Sequence, residues 1–175
     1  MRIHKFLSVY KTCWFIALIA TPALSWALPE DNEQPIRIVA DFAVRDDKLG
    51  LTIYSGNVKL DQGSMSISAS SITIYSDGEN VNTLVAKGMP AHFTQIQADG
   101  QAPVTASGKL IEYFKQEQRI SIQHQAALEQ NNATVKSDNI QYYINEQLVK
   151  ANGGDGRQSG RVEVVIPPRH KGEAP

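Results

Sequence analysis

A short unit recurs four times along this chain of 175 residues and limits what the chain can fold into. Each copy opens with an aliphatic residue, one spacer and a small residue: Ile38-Val39-Ala40, Ile67-Ser68-Ala69, Val104-Thr105-Ala106 and Val135-Lys136-Ser137. The openings are offset by 29, 37 and 31 residues, and each leads into an alternating segment. Units of that period with only β-type patterning inside them cannot bury an apolar face singly, so they stack and share one elongated core.

The alternation itself is period two, the mark of a sheet with one apolar face. Ile36, Ile38 and Ala40 alternate with Arg37 and Val39, Leu49, Leu51 and Ile53 with Gly50 and Thr52, and Met65, Ile67 and Ala69 with Ser66 and Ser68. Similar runs lie at Ile72/Ile74, Ala91/Phe93, Ile111/Tyr113, Ile120/Ile122, Ala126/Leu128, Ile140/Tyr142/Ile144 and Val162/Val164/Ile166. Turn-formers separate them, among them Ser55-Gly56-Asn57, Gly63, Asp77-Gly78, Gly88-Met89-Pro90, Asp99-Gly100 and Asn131-Asn132, as an all-β sandwich, roll or solenoid requires. No segment carries a helix face, and Lys115-Gln116-Glu117-Gln118 reads as a hairpin tip.

Residues 1–27 stand apart from this pattern. Arg2, Lys5 and Lys11 precede an apolar run from Cys13 to Ala20, and Ser25-Trp26-Ala27 offers small residues at both cleavage positions, so a secretory signal is expected there. The expected folded domain is 28–168, followed by a disordered tail at 169–175. The signal would take with it both tryptophans, the lone cysteine and three basic residues, leaving 14 Lys and Arg against 18 Asp and Glu, a net charge of −4. That balance argues against nucleic acid. Without cysteine the exported fold must be held by its sheet and core alone.

Catalytic and metal chemistry find little support. His92, His124 and His170 fall in different segments, no G-x-S-x-G elbow is present, and Asp61, Asp77, Glu112 and Asp138 are scattered, mostly at turns. The glycine-rich stretch from Gly153 to Gly160 fits neither phosphate-binding fingerprint. No cofactor and no enzymatic activity are therefore expected. A carbohydrate-active β-stack and a structural or adhesive exported repeat protein are the alternatives to a binding module.

Two features suggest binding. The inner faces mix Ile, Leu and Val with Ala, Met, Phe and Tyr and contain no tryptophan after residue 27, which suits either a slot for acyl chains or an ordinary packed sandwich. The runs at 36–40 and 162–166 are expected to be open edge strands, and such edges template pairing with a neighbour. Head-to-tail assembly is the expected result.

One ordered set of motifs resembles a known family. Gln34-Pro35-Ile36-x-Ile38, Ser55-Gly56-Asn57-Val58, Gln62-Gly63-x-Met65-x-Ile67-x-Ala69, Gly88-x-Pro90-Ala91-x-Phe93, Ala106-Ser107 before Tyr113, and Asp138-x-Ile140-x-Tyr142 resemble the LptA family of the OstA-like superfamily across residues 34–166. The resemblance implies a single elongated, slightly open twisted β-jellyroll of stacked antiparallel strands. It further implies a periplasmic protein that binds lipopolysaccharide, with the lipid A acyl chains inside, in a bridge from inner to outer membrane. An LptC-like inner-membrane protein would deliver the lipid and an LptD-like outer-membrane protein would receive it. Carried onto matching positions, Ile36, Phe93 and Tyr113 are implied lipid contacts, and alternation adds Ile38, Met65, Ile67 and Ile111. Aspartate at Phe93 or Ile36 is then expected to weaken lipid binding with the fold intact. Three departures stand out: His124-Gln125-Ala126 replaces the family's Gly-Asn, an extra residue between Ser107 and Tyr113 leaves the facing of 110–114 open, and Lys115 stands where the family can carry an apolar interior residue, so that it is expected to line the rim and meet a lipid phosphate.

Overall fold

Alternating aliphatic and polar residues punctuated by Gly, Asn and Asp give ten antiparallel strands in the computed structural model, which describes residues 33–78, 80–96, 102–154 and 160–168. They are β1 (Arg37–Val39), β2 (Phe42–Asp46), β3 (Leu51–Gln62), β4 (Met65–Asp77), β5 (Asn80–Gln95), β6 (Val104–Phe114), β7 (Arg119–Gln130), β8 (Ala133–Tyr143), β9 (Leu148–Asn152) and β10 (Glu163–Val165). The expected signal at 1–27, the turn at Asp99-Gly100, the centre of the glycine-rich stretch and the tail at 169–175 lie outside the described residues.

Strands β3 to β8 pair in sequence order, and each end of the ladder carries two short strands. At one end β1 and β2 share β3, and at the other β9 and β10 share β8. The sheet does not close on itself. It is a single open β-jellyroll, as the resemblance predicts, and one of the all-β forms that the repeat pattern leaves open.

A line of register shifts crosses the sheet at Ser55/Val58, Ser68/Ser71, Lys87/Ala91, Ser107/Leu110 and Gln123/Ala126. Aligned bulges bend every long strand at the same level, dividing the sheet into a β1 half (58–62, 65–69, 91–95, 104–107, 126–130 and 133–137, with β1 and β10) and a β2 half (51–55, 71–77, 80–87, 110–114, 119–123 and 139–143, with β2 and β9). The inward residues of both halves join one hydrophobic cluster, so the halves face each other across it. The four repeat openings Ile38, Ile67, Val104 and Val135 all fall in the β1 half, on β1, β4, β6 and β8. The repeat is therefore one strand running to the far half and one returning.

Each bulge is built locally. Gly56 takes φ +79°, and an added Cβ would strike the Asp41 side chain. The Asp41 amide donates to Gly56 O at 2.9 Å, and Asn57 Nδ2 donates to Asp41 Oδ2 at 2.9 Å. His124 and Gln125, both at φ 61°, make the corresponding left-handed bulge on β7, so the departure from Gly-Asn alters the residues but not the bend. Gly108 is buried at the β6 bulge, where a Cβ would lie 2.6 Å from Ile122 Cγ2. The facing that the sequence leaves open is fixed beyond this bulge: Ile111 and Tyr113 point inward and are buried.

One expectation is corrected. Leu49, Leu51 and Ile53 do not form an inner face; Ile53 is 40% exposed, and Tyr54, paired with Ile72, packs on the core instead. A one-residue change of phase exchanges the faces, and the register set by Tyr54 and Ile72 prevails over the apolar count. The short strands β2 and β9 carry too little alternation to be read from sequence, yet they form half of each edge. The segment 115–118 is the β6–β7 hairpin turn that the sequence predicts, with Gln118 at φ 45°.

Candidate functional site

Because neighbouring strands are in register, inward side chains line up in rows perpendicular to the strands. In the β1 half one row takes a residue from each strand: Ile38, Leu60, Ile67, Phe93, Ala106, Leu128, Val135 and Val164. In the β2 half the row is Ala43, Tyr54, Ile72, Ala86, Ile111, Ile122, Ile140 and Ala151. Beside it run Ile74, Leu84, Tyr113, Ile120, Tyr142 and Val149. No charged side chain interrupts these rows. The first two run from one open edge of the sheet to the other, whereas the third stops at Ile74, beyond which the register continues to Thr52 and Arg45.

The structure brings most of the sequence-derived candidates into this interior. Ile38, Ile67 and Phe93 share one row, Met65 lies beside it on β4, and Ile111 and Tyr113 face them from the other half. Ile36 sits apart, just before β1, partly buried against the core. Of the two readings left open by composition, the packed one describes the interior here: Phe93 is 1% exposed and Ile111 fully buried, each covered by its neighbours. The inner faces are closed on each other.

Opposite the bulge line, the two halves meet at a mouth. A cleft of about 680 Å³ lies there, lined by Glu33, Gln34, Ile36 and Gln62 from the β1 half and by Asn80, Val81, Asn82, Lys115, Gln116, Gln118 and Asn145 from the other. Ile36 and Val81 also pack against the core, so the polar cleft and the apolar interior are contiguous. Gln62 Nε2 donates to Gln34 O at 2.9 Å, and Gln118 Nε2 to Tyr113 Oη at 3.0 Å, tying the rim to the interior. Lys115 is the one lining residue that the comparison with the family pattern places at a rim; the carboxamides are not legible in the sequence, because they come from five separate segments and each reads singly as a turn or strand-end residue.

The ends of the rows are uncovered. Ala43 is exposed on β2, and Val164 and Ile166 are 53% and 76% exposed at the other end. These are the apolar, unpaired edges that the sequence predicts at 36–40 and 162–166, extended by β2 and β9.

Among the described residues the candidate acids and histidines do not converge on one site. Asp61 and Asp77 sit at opposite ends of the β3–β4 pair, and Glu112 lies on β6, where it accepts from Gln123 Nε2 at 2.8 Å. The Ser66 hydroxyl donates to Asp61 at 2.8 Å and holds its carboxyl below the ordinary carboxylate range, with Lys59 and Arg37 adding to the effect against partial desolvation. A carboxyl so held is ionised at neutral pH and a poor proton donor. His124 Nδ1 lies 3.8 Å from Asp138 at the bulge, and His92 lines a different cleft.

Residues 37–148 match the family described as LptA/(LptD N-terminal domain) LPS transport protein. The chain is 33% identical over 156 residues to the lipopolysaccharide export system protein LptH of Pseudomonas aeruginosa, covering 86% of this chain and 89% of that one. It is 28% identical over 167 residues to the lipopolysaccharide export system protein LptA of Escherichia coli K12, covering 91% and 88%. The crystal structure of Pseudomonas aeruginosa LptH, described as the LptA-homologous periplasmic component of the lipopolysaccharide transport device, superimposes with a TM-score of 0.74 at 34% identity, over 80% of this chain and all of that one.

Proposed function

This chain belongs to the family of LptA and LptD N-terminal lipopolysaccharide transport proteins, and from that premise we propose that it is a periplasmic segment of a bridge that carries lipopolysaccharide between the two membranes, with the acyl chains inside its sheet. The observation that carries this reading is the unbroken apolar row from Ile38 to Val164. Each methylene kept from water is worth roughly 0.8 kcal/mol, so a multi-acyl lipid needs continuous cover to cross an aqueous space. A row without a polar break offers that cover with no deep minimum along it, which lets the lipid move on.

Ile36, Ile38, Met65, Ile67, Phe93, Ile111 and Tyr113 are the proposed contacts. The inner faces are closed in the unliganded chain, so the halves part at the mouth to admit acyl chains while the bulge line holds them together. Photoreactive apolar residues at Ile36 and Phe93 in intact envelopes should form lipopolysaccharide adducts, and one at Asp77 should form none. Absence of adducts at both interior positions would leave a structural repeat protein as the better reading.

The exposed edges support assembly by strand addition, with β1 and β2 of one copy extending β9 and β10 of the next, so that the rows continue from unit to unit. An LptC-like donor and an LptD-like acceptor would occupy the terminal edges by the same pairing. Deletion of 162–166 removes the last apolar strand and is expected to reduce a concentration-dependent oligomer to monomer in light scattering. A wild-type chain that remains monomeric at high concentration would remove this basis for assembly.

A further inference from the structure

The mouth cleft combines three properties that the apolar interior does not need. Its lining is dominated by carboxamides, among them Gln34, Asn80, Asn82, Gln116 and Asn145. A carboxamide presents a donor and an acceptor side by side, which matches the vicinal hydroxyls of a sugar. Among the described residues, Asn82, Gln116 and Asn145 have no hydrogen-bond partner for their side chains, so these groups are available to a ligand.

The second property is charge. Lys115 lines the cleft, and among the described residues its ammonium has no carboxylate within 4.0 Å. Glu33, the one acidic residue of the lining, is exposed. The third is position: Ile36 and Val81 belong at once to the cleft and to the core boundary, so a molecule with its tails among the apolar rows would place its polar head here. The volume, about 680 Å³, is within the range of a small-molecule site and suits a disaccharide.

We propose that this cleft is the headgroup subsite of the chain, taking a phosphorylated sugar whose phosphate meets Lys115 and whose hydroxyls meet the carboxamides. The inference rests on the acyl-binding reading above and adds a selectivity that the interior cannot supply. Apolar rows accept any acyl chain, whereas the cleft discriminates by phosphate and hydroxyl. A charge-assisted contact of this kind is sensitive to salt.

The test titrates the purified chain with bisphosphorylated lipid A, with its fully dephosphorylated form, and with a neutral lauroyl-chain fluorescent amphiphile. Lys115→Ala should weaken bisphosphorylated lipid A about tenfold, or ~1.4 kcal/mol, while leaving the amphiphile unchanged, and Lys115→Arg should restore most of the loss. The difference between wild type and Lys115→Ala should vanish with the dephosphorylated lipid and shrink at high salt. Equal affinity of wild type and Lys115→Ala for bisphosphorylated lipid A, with the amphiphile still bound, overturns the cleft assignment alone. Failure of the wild-type chain to bind the amphiphile overturns the interior reading beneath it.

Discussion

Aspartate at Phe93 is expected to unfold the domain, whereas the same change at Ile36 leaves it folded. Phe93 is 1% exposed and flanked in its row by Ile67 and Ala106. Loss of the ring costs about 3–5 kcal/mol, and a carboxylate without a partner in an apolar site adds several more. A domain of this size has roughly 5–15 kcal/mol in total. Ile36 is only partly buried, in a cleft rich in amides that also holds Lys115, so its replacement meets water and a cation. Thermal unfolding followed by circular dichroism separates the two cases. A wild-type melt for Phe93→Asp would mean that the inner faces are not packed as described. The expectation from sequence that both changes spare the fold is therefore kept for Ile36 alone, and lipid contact at Phe93 calls for an apolar photoreactive analogue.

The second large effect concerns entry. Gln34 and Gln116 line the cleft from opposite halves, and the chain's one cysteine, Cys13, lies far upstream in sequence. Cysteines at these two positions, joined by a short cleavable cross-linker, should hold the mouth shut. Lipid loading is then expected to fall by at least about tenfold, because the binding-competent open state is depopulated, and to return when the linker is cleaved. Loading of the bridged chain at the wild-type level would show that acyl chains enter from the open ends of the rows and not through the mouth.

Much of this architecture is legible from period two. Met65, Ile67 and Ala69, or Ile140, Tyr142 and Ile144, read directly as inward faces because polar spacers leave no alternative phase. The reading fails where both phases are apolar. Around Leu51 to Tyr54 an aliphatic set and an aromatic compete, and only the register with Ile72 and Ile74 decides. It also fails where the backbone does what side chains do not announce, as at His124 and Gln125, two non-glycine residues in left-handed conformation. The interior candidates other than Ile36 are recoverable because each lies on a strand whose face can be read locally. The cleft is not, because five segments far apart in sequence contribute to it and no local pattern links Gln34 to Asn145.

Strand order carries one more consequence. Since every strand from β3 to β8 lies beside its neighbour in sequence, the distance between the two open edges is proportional to the number of strands. At about 4.8 Å per strand, the eight-residue row from Ile38 to Val164 measures roughly 35 Å. Inserting one complete hairpin between existing ones would lengthen the chain's reach by roughly 10 Å while leaving both terminal strands, and hence every docking partner, untouched. The fold is in this sense a ruler with fixed ends and a countable number of divisions, and the width of the gap it serves can be matched in whole hairpins.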